Sequence, residues 1–430
     1  MSYTPIAPSL QNQDGTSRPF IAENRNSTKT RPRKKGLANK RATKLHPRTD
    51  FPIIVHSHLG WDWVWQRPQQ FVSRLSRRHK ILFVETLAPD PSLAAPLAKF
   101  RVADGFSNIT VLTLQFPSWR WEDAGYVDSE RCRLVQQFIA GPGAGQFQSP
   151  VQWFYDPMAV TAFGGQMGEV LTVYDCMDEL SKFRCAPPEI AKRETELLSR
   201  AEVVFTGGRK LFEAKSRYHD NCHFYGCGVD AGHFGKAQDP ATTVPTALSS
   251  LPKPVLGYFG VVDERMDYEL IKRLAESNPQ WSVVMVGPTV KVDAKTLPQR
   301  PNLHWFGQRS YAELPALCKG FDVCLMPFAL NEATEFINPT KALEYMATGK
   351  IIISTAVPDV VRNFGEIVKL ARTPNEFITL CQQAVTQPDH AAITKGFKMV
   401  SENSWDSIVA QLEQHMQEAL VQKQEREVAA

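Results

Sequence analysis

The segment FPIIVHSHLGWDWVWQRPQQFVSRLSRRHKILFVET, residues 51–86, contains two short apolar runs separated by an amphipathic stretch. Residues 52–57 and 81–85 are rich in β-branched and aromatic side chains and have the length of buried strands. Between them, residues 68–77 begin at a proline and place apolar side chains at helical spacing. A strand, a helix and a second strand in this order predict a βαβ unit, and therefore an α/β fold with a parallel sheet.

The same alternation continues along the chain and predicts two such sheets. In the first half, further strands are predicted at residues 109–114, 151–155, 171–174 and 203–206. In the second half, strands are predicted at residues 255–259, 282–286, 303–306, 323–326 and 351–354. We therefore predict two Rossmann-like domains, residues 51–230 and 252–400, facing each other across a cleft. Ligands of such sheets bind outside the carboxyl ends of the strands.

Two further segments complete the predicted organisation. Residues 231–251 are rich in Ala, Thr, Pro and Ser without an apolar period, and this composition predicts a linker. Residues 401–430 are predicted to form an amphipathic helix, because the apolar side chains share one helical face: Trp405, Ile408, Val409, Leu412, Met416 and Leu420.

The positive charge of the chain is concentrated at its start. Of the 49 Lys and Arg and the 45 Asp and Glu, residues 1–50 hold 11 and 3, which leaves 38 and 42 for the rest. Residues 1–50 have little to bury and are predicted to be a disordered basic tail. The tail is either a solvated extension or a polybasic contact to anionic lipid or nucleic acid.

Composition excludes several other classes of protein. Apolar runs are too short to cross a bilayer and no secretory pattern precedes them, so a cytoplasmic protein is expected. The eight cysteines form no CxxC pair, which argues against a disulfide framework or a zinc site. Nor does GPGAG, residues 141–145, indicate a phosphate loop, because it follows a helical stretch instead of a strand.

The sequence NPTKALEYMATGK, residues 338–350, predicts a helix that begins at a ligand. Asn338 suits the N-cap and Pro339 the first helical position, while Gly349 suits the stop. Lys341 in the first turn is disfavoured by the helix dipole unless an anion is bound there, and Glu344 shares its face. The residues therefore indicate either a diphosphate site with sugar hydroxyls near Glu344, or an exposed Lys–Glu pair.

The run NPTKALEYMATGKIIIST, together with GVDAGHF at residues 228–234, resembles the nucleotide-sugar half of the retaining glycosyltransferases of family 4. That family has the GT-B fold, and the similarity in architecture covers roughly residues 51–420. The resemblance implies that Glu344 holds the ribose hydroxyls of the donor. The strings YDCMDELSKF, VFTGGRKLFEAK, GYFGVVDERMDYELI and FALNEATEFINPTKALEYMATGK are similar to a narrower bacterial subgroup found beside or fused to UDP-galactopyranose mutase.

The chain departs from the family pattern at two places. The family has a second glutamate eight positions before Glu344, whereas position 336 is Phe, with only Glu332 and Glu335 nearby. The cationic pair after the first strand of the donor domain is reduced to Arg265, because Asp267 stands where a lysine is expected. We assign the diphosphate to Arg265 and Lys341. The predicted donor-binding residues are Gly260, Glu335, Asn338, Pro339, Thr340 and Glu344.

Two loops of the first domain are candidates for the acceptor. In YDCMDE, residues 174–179, Asp178 either handles the acceptor hydroxyl as a third catalytic residue or, like Asp175, caps a helix. The loop is not a DxD sequence, so no metal is predicted.

The second acceptor loop is SHLGWDWVWQRPQQ, residues 57–70. Its tryptophans either stack on a sugar, lie at a membrane surface or pack in the core. Asp62, Trp63 and Arg67 are its predicted acceptor-binding residues. His56 and His58 lack a third zinc ligand in the sequence.

These observations predict a glycosyltransferase without a cofactor that moves a sugar from a nucleotide-diphosphate donor, a UDP-sugar by preference, to a glycan or lipid-linked acceptor. Retention follows from the resemblance alone. Cell-surface polysaccharide synthesis, and a peripheral place at the inner membrane face through the tail, complete the hypothesis. The alternatives are a GT-B sugar epimerase and a nucleotide-sugar or glycan-binding protein without catalysis. Nucleic acid is not a predicted partner, because only the tail suggests it.

Overall fold

The computed structural model describes residues 18–19, 51–183, 186–335, 337 and 340–429. The predicted basic tail therefore lies outside the described residues, apart from Arg18 and Pro19. These two residues form a short strand paired with residues 99–100, so the prediction of disorder is wrong for them. The fold contains two separate sheets, as the sequence predicts.

The first sheet has nine strands in the order β1-β4-β5-β3-β2-β6-β7-β8-β9. All neighbouring pairs are parallel except β1 with β4 and β4 with β5. The strands are β1 Arg18–Pro19, β2 Ile53–His56, β3 Ile81–Thr86, β4 Leu97–Ala103, β5 Phe106–Gln115, β6 Val151–Phe154, β7 Leu171–Cys176, β8 Val203–Thr206 and β9 Cys222–Phe224.

Helices cover both faces of this sheet, because alternate strand residues point to opposite sides. Ile53 and Val55 belong to one apolar core, and Ile54 belongs to the other. The helices are α1 Arg67–Leu75, α2 Ala124–Ala140, α3 Val160–Phe163, α4 Ile190–Arg200 and α5 Arg209–Lys215.

The second sheet is wholly parallel, with six strands in the order β12-β11-β10-β13-β14-β15. Its strands are β10 Val255–Phe259, β11 Ser282–Val286, β12 Leu303–Gly307, β13 Val323–Met326, β14 Ile351–Thr355 and β15 Lys369–Ala371. The helices around it are α6 Ala231–Gly235, α7 Thr246–Ser249, α8 Tyr268–Ser277, α9 Leu314–Gly320, α10 Lys341–Ala347, α11 Pro358–Phe364, α12 Pro374–Thr386 and α13 His390–Glu402.

The segment predicted as a linker, residues 231–251, contains the short helices α6 and α7. Phe234 and Leu248 are 0% and 1% exposed and belong to the core of the second domain. One large apolar side chain per short helix is too sparse to give an apolar period, so the sequence pattern does not show these helices.

The last helix, α14 Trp405–Ala429, packs on the first domain although it follows the second in the chain. All six apolar residues of the predicted face are buried. Trp405 meets the ring of Phe71 edge-on at 5.6 Å. The chain thus passes between the domains twice. The two crossings lie side by side, and the amide of Val229 in the first donates to the carbonyl of Asn403 in the second at 2.9 Å. Among the described helices, none is both long and apolar enough to cross a membrane.

Candidate functional site

A cleft of about 1020 Å³ lies between the two domains, and both contribute to its walls. The second domain supplies the loop after β10 and the first turns of α10, and the first domain supplies the loops after β7 and β8 and the start of α1. Each of these loops follows the carboxyl end of a strand, where α/β sheets bind ligands. Predicted site residues that line it are Arg67, Asp178, Gly260, Arg265, Thr340, Lys341 and Glu344.

Lys341 lies directly over Gly260, at the end of β10. Gly260 has a φ of 144°, and a Cβ built on it would lie 2.0 Å from Cε and 2.8 Å from Nζ of Lys341. Only glycine therefore allows the lysine to reach across the strand end. Burial lowers the pKa of Lys341, although Glu344 opposes this. Among the described residues, none accepts a hydrogen bond from the ammonium, which is thus available to an anion.

Glu344 lies one turn further along α10 and is 7% exposed. Burial raises the pKa of its carboxyl to about 7, although the charge of Lys341 opposes the shift. The alternative of an exposed surface Lys–Glu pair is wrong, because Glu344 is buried in the wall of the cleft.

Arg265 provides a second cation at the same end of the cleft. Its Nε and Nη2 donate to the carboxylate of Asp263 at 3.0 and 2.7 Å. Burial opposes the charge, but the Asp263 carboxylate raises the pKa of Arg265 above its usual value. Arg265 therefore remains cationic, and the pair with Asp263 fixes its direction.

The three carboxylates of the loop at residues 174–179 have separate environments. Asp175 belongs to β7, is fully buried and forms an ion pair with Arg67 at 2.9 Å. Glu179 binds Lys215 at 2.7 Å. Asp178 lines the cleft, and burial raises its pKa although Arg265 and His58 oppose the shift. The capping alternative is wrong, because no side chain caps the following turn at residues 180–182.

A smaller cavity of about 620 Å³ adjoins the cleft, and Asp178 and Arg265 line both. Trp63 forms part of its wall, together with His58 and Lys291, for which no sequence pattern predicts contact with the acceptor. His58 is 7% exposed, and its Nδ1 has no partner in the described part of the chain. Lys291 has a φ of 60°, a conformation that non-glycine residues seldom adopt outside turns and sites.

The other predicted acceptor residues are placed differently. Arg67 reaches the cleft, but its guanidinium is held by Asp175 and by the carbonyl of Tyr225 at 2.7 Å. Asp62 is exposed, pairs with Arg101 and lines a separate groove. Of the tryptophans, Trp61 is core, at 4% exposure. Nε2 of His56 contacts Oε1 of Gln152 at 2.7 Å, whereas His58 lines the smaller cavity.

The donor-binding predictions on the loop before α10 have mixed outcomes. Thr340 lines the cleft and its hydroxyl lies 3.1 Å from Sγ of Cys227. Glu335 does not line the cleft; it is exposed and pairs with Lys210 of the first domain. Asn338, Pro339 and Phe336 lie outside the described residues. The described residues also contain no group of three or more His, Cys, Asp or Glu able to hold a metal ion.

Residues 253–387 match the family model "Glycosyl transferases group 1". A candidate teichuronic acid biosynthesis glycosyltransferase of Bacillus subtilis (strain 168), TuaH, is 28% identical over 238 residues, which are 50% of this chain and 58% of that protein. This chain thus matches little more than half the length of that relative.

Solved structures similar to this chain include sucrose-phosphate synthase of Thermosynechococcus elongatus, with a TM-score of 0.62 and 15% identity over 86% of this chain and 99% of the other. A trehalose-6-phosphate structure from E. coli with bound UDP-2-fluoro glucose has a TM-score of 0.60 at 12% identity, covering 86% and 99%. Anabaena Alr3699/HepE in complex with UDP has a TM-score of 0.58 at 12% identity, covering 85% and 99%. At such identities the likeness establishes the fold. The chain therefore has the GT-B fold, and its second domain carries the match to the group 1 glycosyltransferases.

Proposed function

We propose that this protein is a glycosyltransferase that moves a sugar from a nucleoside diphosphate sugar, a UDP-sugar by preference, to a hydroxyl of a carbohydrate acceptor. The observation that carries the proposal is the arrangement of Lys341 above Gly260, beside Arg265 and the buried Glu344. Two cations at one end of a cleft suit a diphosphate, and a buried carboxylate nearby suits the two ribose hydroxyls. The match of residues 253–387 to the group 1 glycosyltransferases supports the same reading.

The residues of the cleft suggest how transfer proceeds. The bond between the anomeric carbon and the diphosphate oxygen breaks, and Lys341 and Arg265 stabilise the negative charge that develops on the leaving group. The acceptor hydroxyl forms the new bond to the anomeric carbon. Asp178 lies where the cleft meets the smaller cavity and accepts the proton that this hydroxyl loses as the bond forms.

We infer that the smaller cavity receives the acceptor. Trp63 gives it an aromatic wall on which a sugar ring can stack, while His58 and Lys291 offer polar groups. Retention of the anomeric configuration is proposed from the family resemblance only.

A panel of radiolabelled UDP-, GDP- and TDP-sugars, incubated with and without glycan acceptors in excess EDTA, tests the proposal. Acceptor-dependent release of nucleoside diphosphate is expected. Formation of a free sugar or of its isomer without acceptor would identify an epimerase instead. Tight nucleotide binding without any turnover would identify a binding protein. Activity that EDTA abolishes and magnesium or manganese restores would contradict the metal-independent site.

The biological setting is proposed on narrower grounds. The similarity to TuaH supports a role in cell-surface polysaccharide synthesis. A glycan or lipid-linked acceptor and a place at the cytoplasmic face of the membrane are proposed from the sequence alone. The closer similarity to proteins found beside UDP-galactopyranose mutase stays a prediction.

A further inference from the structure

A third cavity, of about 950 Å³, lies in the first domain and shares no lining residue with the cleft or the acceptor cavity. It is enclosed by the N-terminal parts of α2 and α4 and by the turn after β6. Its apolar wall includes Trp121, Met158 and Pro188, and its charged wall includes Asp128, Arg131 and Arg193.

Arg131 is the unusual residue of this cavity. The side chain lines the cavity and the residue is only 8% exposed, yet it has no hydrogen bond or ion pair with any described residue. Its Nε is fully buried without an acceptor. Arginine stays charged at all relevant pH values, and buried arginines are almost always paired.

The carboxylate of Asp128, on the same helix, makes no hydrogen bond or ion pair with Arg131. Asp128 lies one turn before Arg131, but both of its oxygens accept from Arg193, at 3.1 and 2.7 Å. Arg193 is held further by the carbonyl of Met158 at 2.6 Å. Arg131 therefore faces the cavity without a hydrogen-bonded counter-charge among the described residues, and a bound anion would supply one.

The other residues that line the cavity indicate which kind of anion it would bind. The indole of Trp121 and the side chains of Met158 and Pro188 form an apolar surface suited to the face of a sugar ring. Glu122 and Glu189 are exposed at the mouth, where they repel a bare anion but accept hydrogen bonds from hydroxyl groups.

The third cavity lies at the carboxyl edge of the strands of the first sheet, the same edge that carries the proposed acceptor cavity. Helices of an α/β sheet begin at the carboxyl edge of the strands, and Met158 follows β6 closely. Asp156, in the same turn, interacts electrostatically with His58 of the acceptor cavity.

We propose that this third cavity binds the anionic group, a carboxylate or a phosphate, of an acidic carbohydrate, and that Arg131 is its counter-charge. Binding of the acidic sugar does not depend on the proposed transferase activity. The further step, that this acidic carbohydrate is a segment of the acceptor, rests on the proposed transferase function.

The test measures binding of glucuronate, glucose 6-phosphate, neutral glucose and inorganic phosphate to the full chain by calorimetry and thermal shift. An acidic sugar is expected to bind the wild type, and Arg131→Met should weaken it at least about tenfold, or ~1.4 kcal/mol. Arg133→Met is the matched control, because Arg133 is on the same helix but exposed and paired with Glu130 at 2.6 Å. UDP affinity should be unchanged in both variants.

Stability provides an independent readout. Without ligand, Arg131→Met should melt at the same temperature as the wild type or higher, because a buried charge without a partner is removed. Equal binding of inorganic phosphate and glucose 6-phosphate would overturn the carbohydrate part of the proposal. The whole proposal is overturned if no anion binds, if Arg131→Met binds as well as the wild type, or if that variant alone melts several degrees lower. UDP binding, measured on the same variants, tests the proposed donor cleft separately from the third cavity.

Discussion

Glu344 is a carboxylate whose pKa is raised to about 7 by burial, and we expect this to make nucleotide binding pH-dependent. Below that pH the carboxyl is mostly protonated and cannot accept two ribose hydrogen bonds as an anion. UDP affinity of the wild type should therefore rise as the pH increases through 7. Glu344→Gln should bind UDP about 1.5–3 kcal/mol more weakly at pH 8, the size of a charge-assisted hydrogen bond, without this pH dependence. Calorimetry at pH 6 and 8 checks both, and parallel pH profiles would contradict the assignment.

The same residue links pH to folding stability. The folded-state pKa is above the usual 4.5, so the folded protein holds this proton more tightly than the unfolded chain. Relative to Glu344→Gln, the wild type should lose stability as pH rises from 4.5 to 7, by about 1.4 kcal/mol per unit of pKa shift. Chemical denaturation of both proteins at several pH values measures the difference.

Lys341 should matter more for turnover than for the fold, because its ammonium meets no described acceptor while its pKa is lowered by burial. Lys341→Ala is expected to lower kcat by about 100-fold or more, as for loss of one transition-state donor. Lys395→Ala is the control, since Lys395 is exposed and pairs with Glu366 at 3.3 Å. Thermal unfolding of both variants should stay near that of the wild type, and full activity of Lys341→Ala would show that it does not contact the donor.

Sequence reasoning has a physical limit at this scale. Lys341 and Glu344 are predictable because their spacing places them on one helical face. The predicted N-cap at Asn338 is wrong, because α10 begins at Lys341 with Thr340 as its N-cap. The roles of His58 and Lys291 depend on two loops from different domains and on a positive φ, which no local pattern records. The missing partner of Arg131 is equally unpredictable from the sequence, because only the structure shows that Asp128 accepts its hydrogen bonds from Arg193.

Among the secondary-structure elements, the proposed donor site depends most on the end of β10, where Gly260 lies beneath Lys341. A methyl group at position 260 would overlap Cε of Lys341, and φ of 144° is unfavourable for alanine. Gly260→Ala should therefore displace Lys341, weaken UDP binding and cost roughly 1–3 kcal/mol of stability. Gly235→Ala is the control, because a Cβ there meets nothing within 4 Å. Unchanged UDP affinity of Gly260→Ala by calorimetry would contradict the close contact.

The elements differ in how well sequence predicts them, for reasons visible in their burial. Central parallel strands such as β2 and β13 are fully buried and give continuous apolar runs. The antiparallel strand β4 is only partly buried and carries Lys99 and Arg101, so no apolar run marks it. Strand β9 has three residues, too few for a pattern.

In the whole molecule, α14 packs on the core of the first domain, although it follows the second domain in the chain. Its apolar face predicts that it packs on something, but the identity of that partner depends on the long-range crossing beside Val229. Several ion pairs also connect the domains across the cleft, including Lys182 with Glu332 at 3.3 Å and Arg362 with Glu213 at 2.7 Å. Both pairs are exposed, so salt is expected to weaken them.

Charge separation along the whole chain leads to the last prediction. Residues 1–50 hold 11 of the 49 Lys and Arg but only 3 of the 45 Asp and Glu, while the remaining residues are slightly acidic. Each basic residue near an anionic membrane contributes about 1 kcal/mol. Deleting residues 1–48 should therefore reduce binding to vesicles containing anionic lipid, and leave the reaction with a soluble acceptor unchanged.

Sedimentation with vesicles of neutral and of mixed anionic composition, at low and high salt, measures this effect. The difference between the full-length and truncated proteins should vanish at high salt, because screening shortens the range of the attraction to a few ångströms. Equal binding of both proteins to anionic vesicles at low salt would show that the tail does not contribute to membrane binding. The exposed Trp119, at 65% exposure, would then be the next residue to substitute, because a bare indole favours the interface of a bilayer.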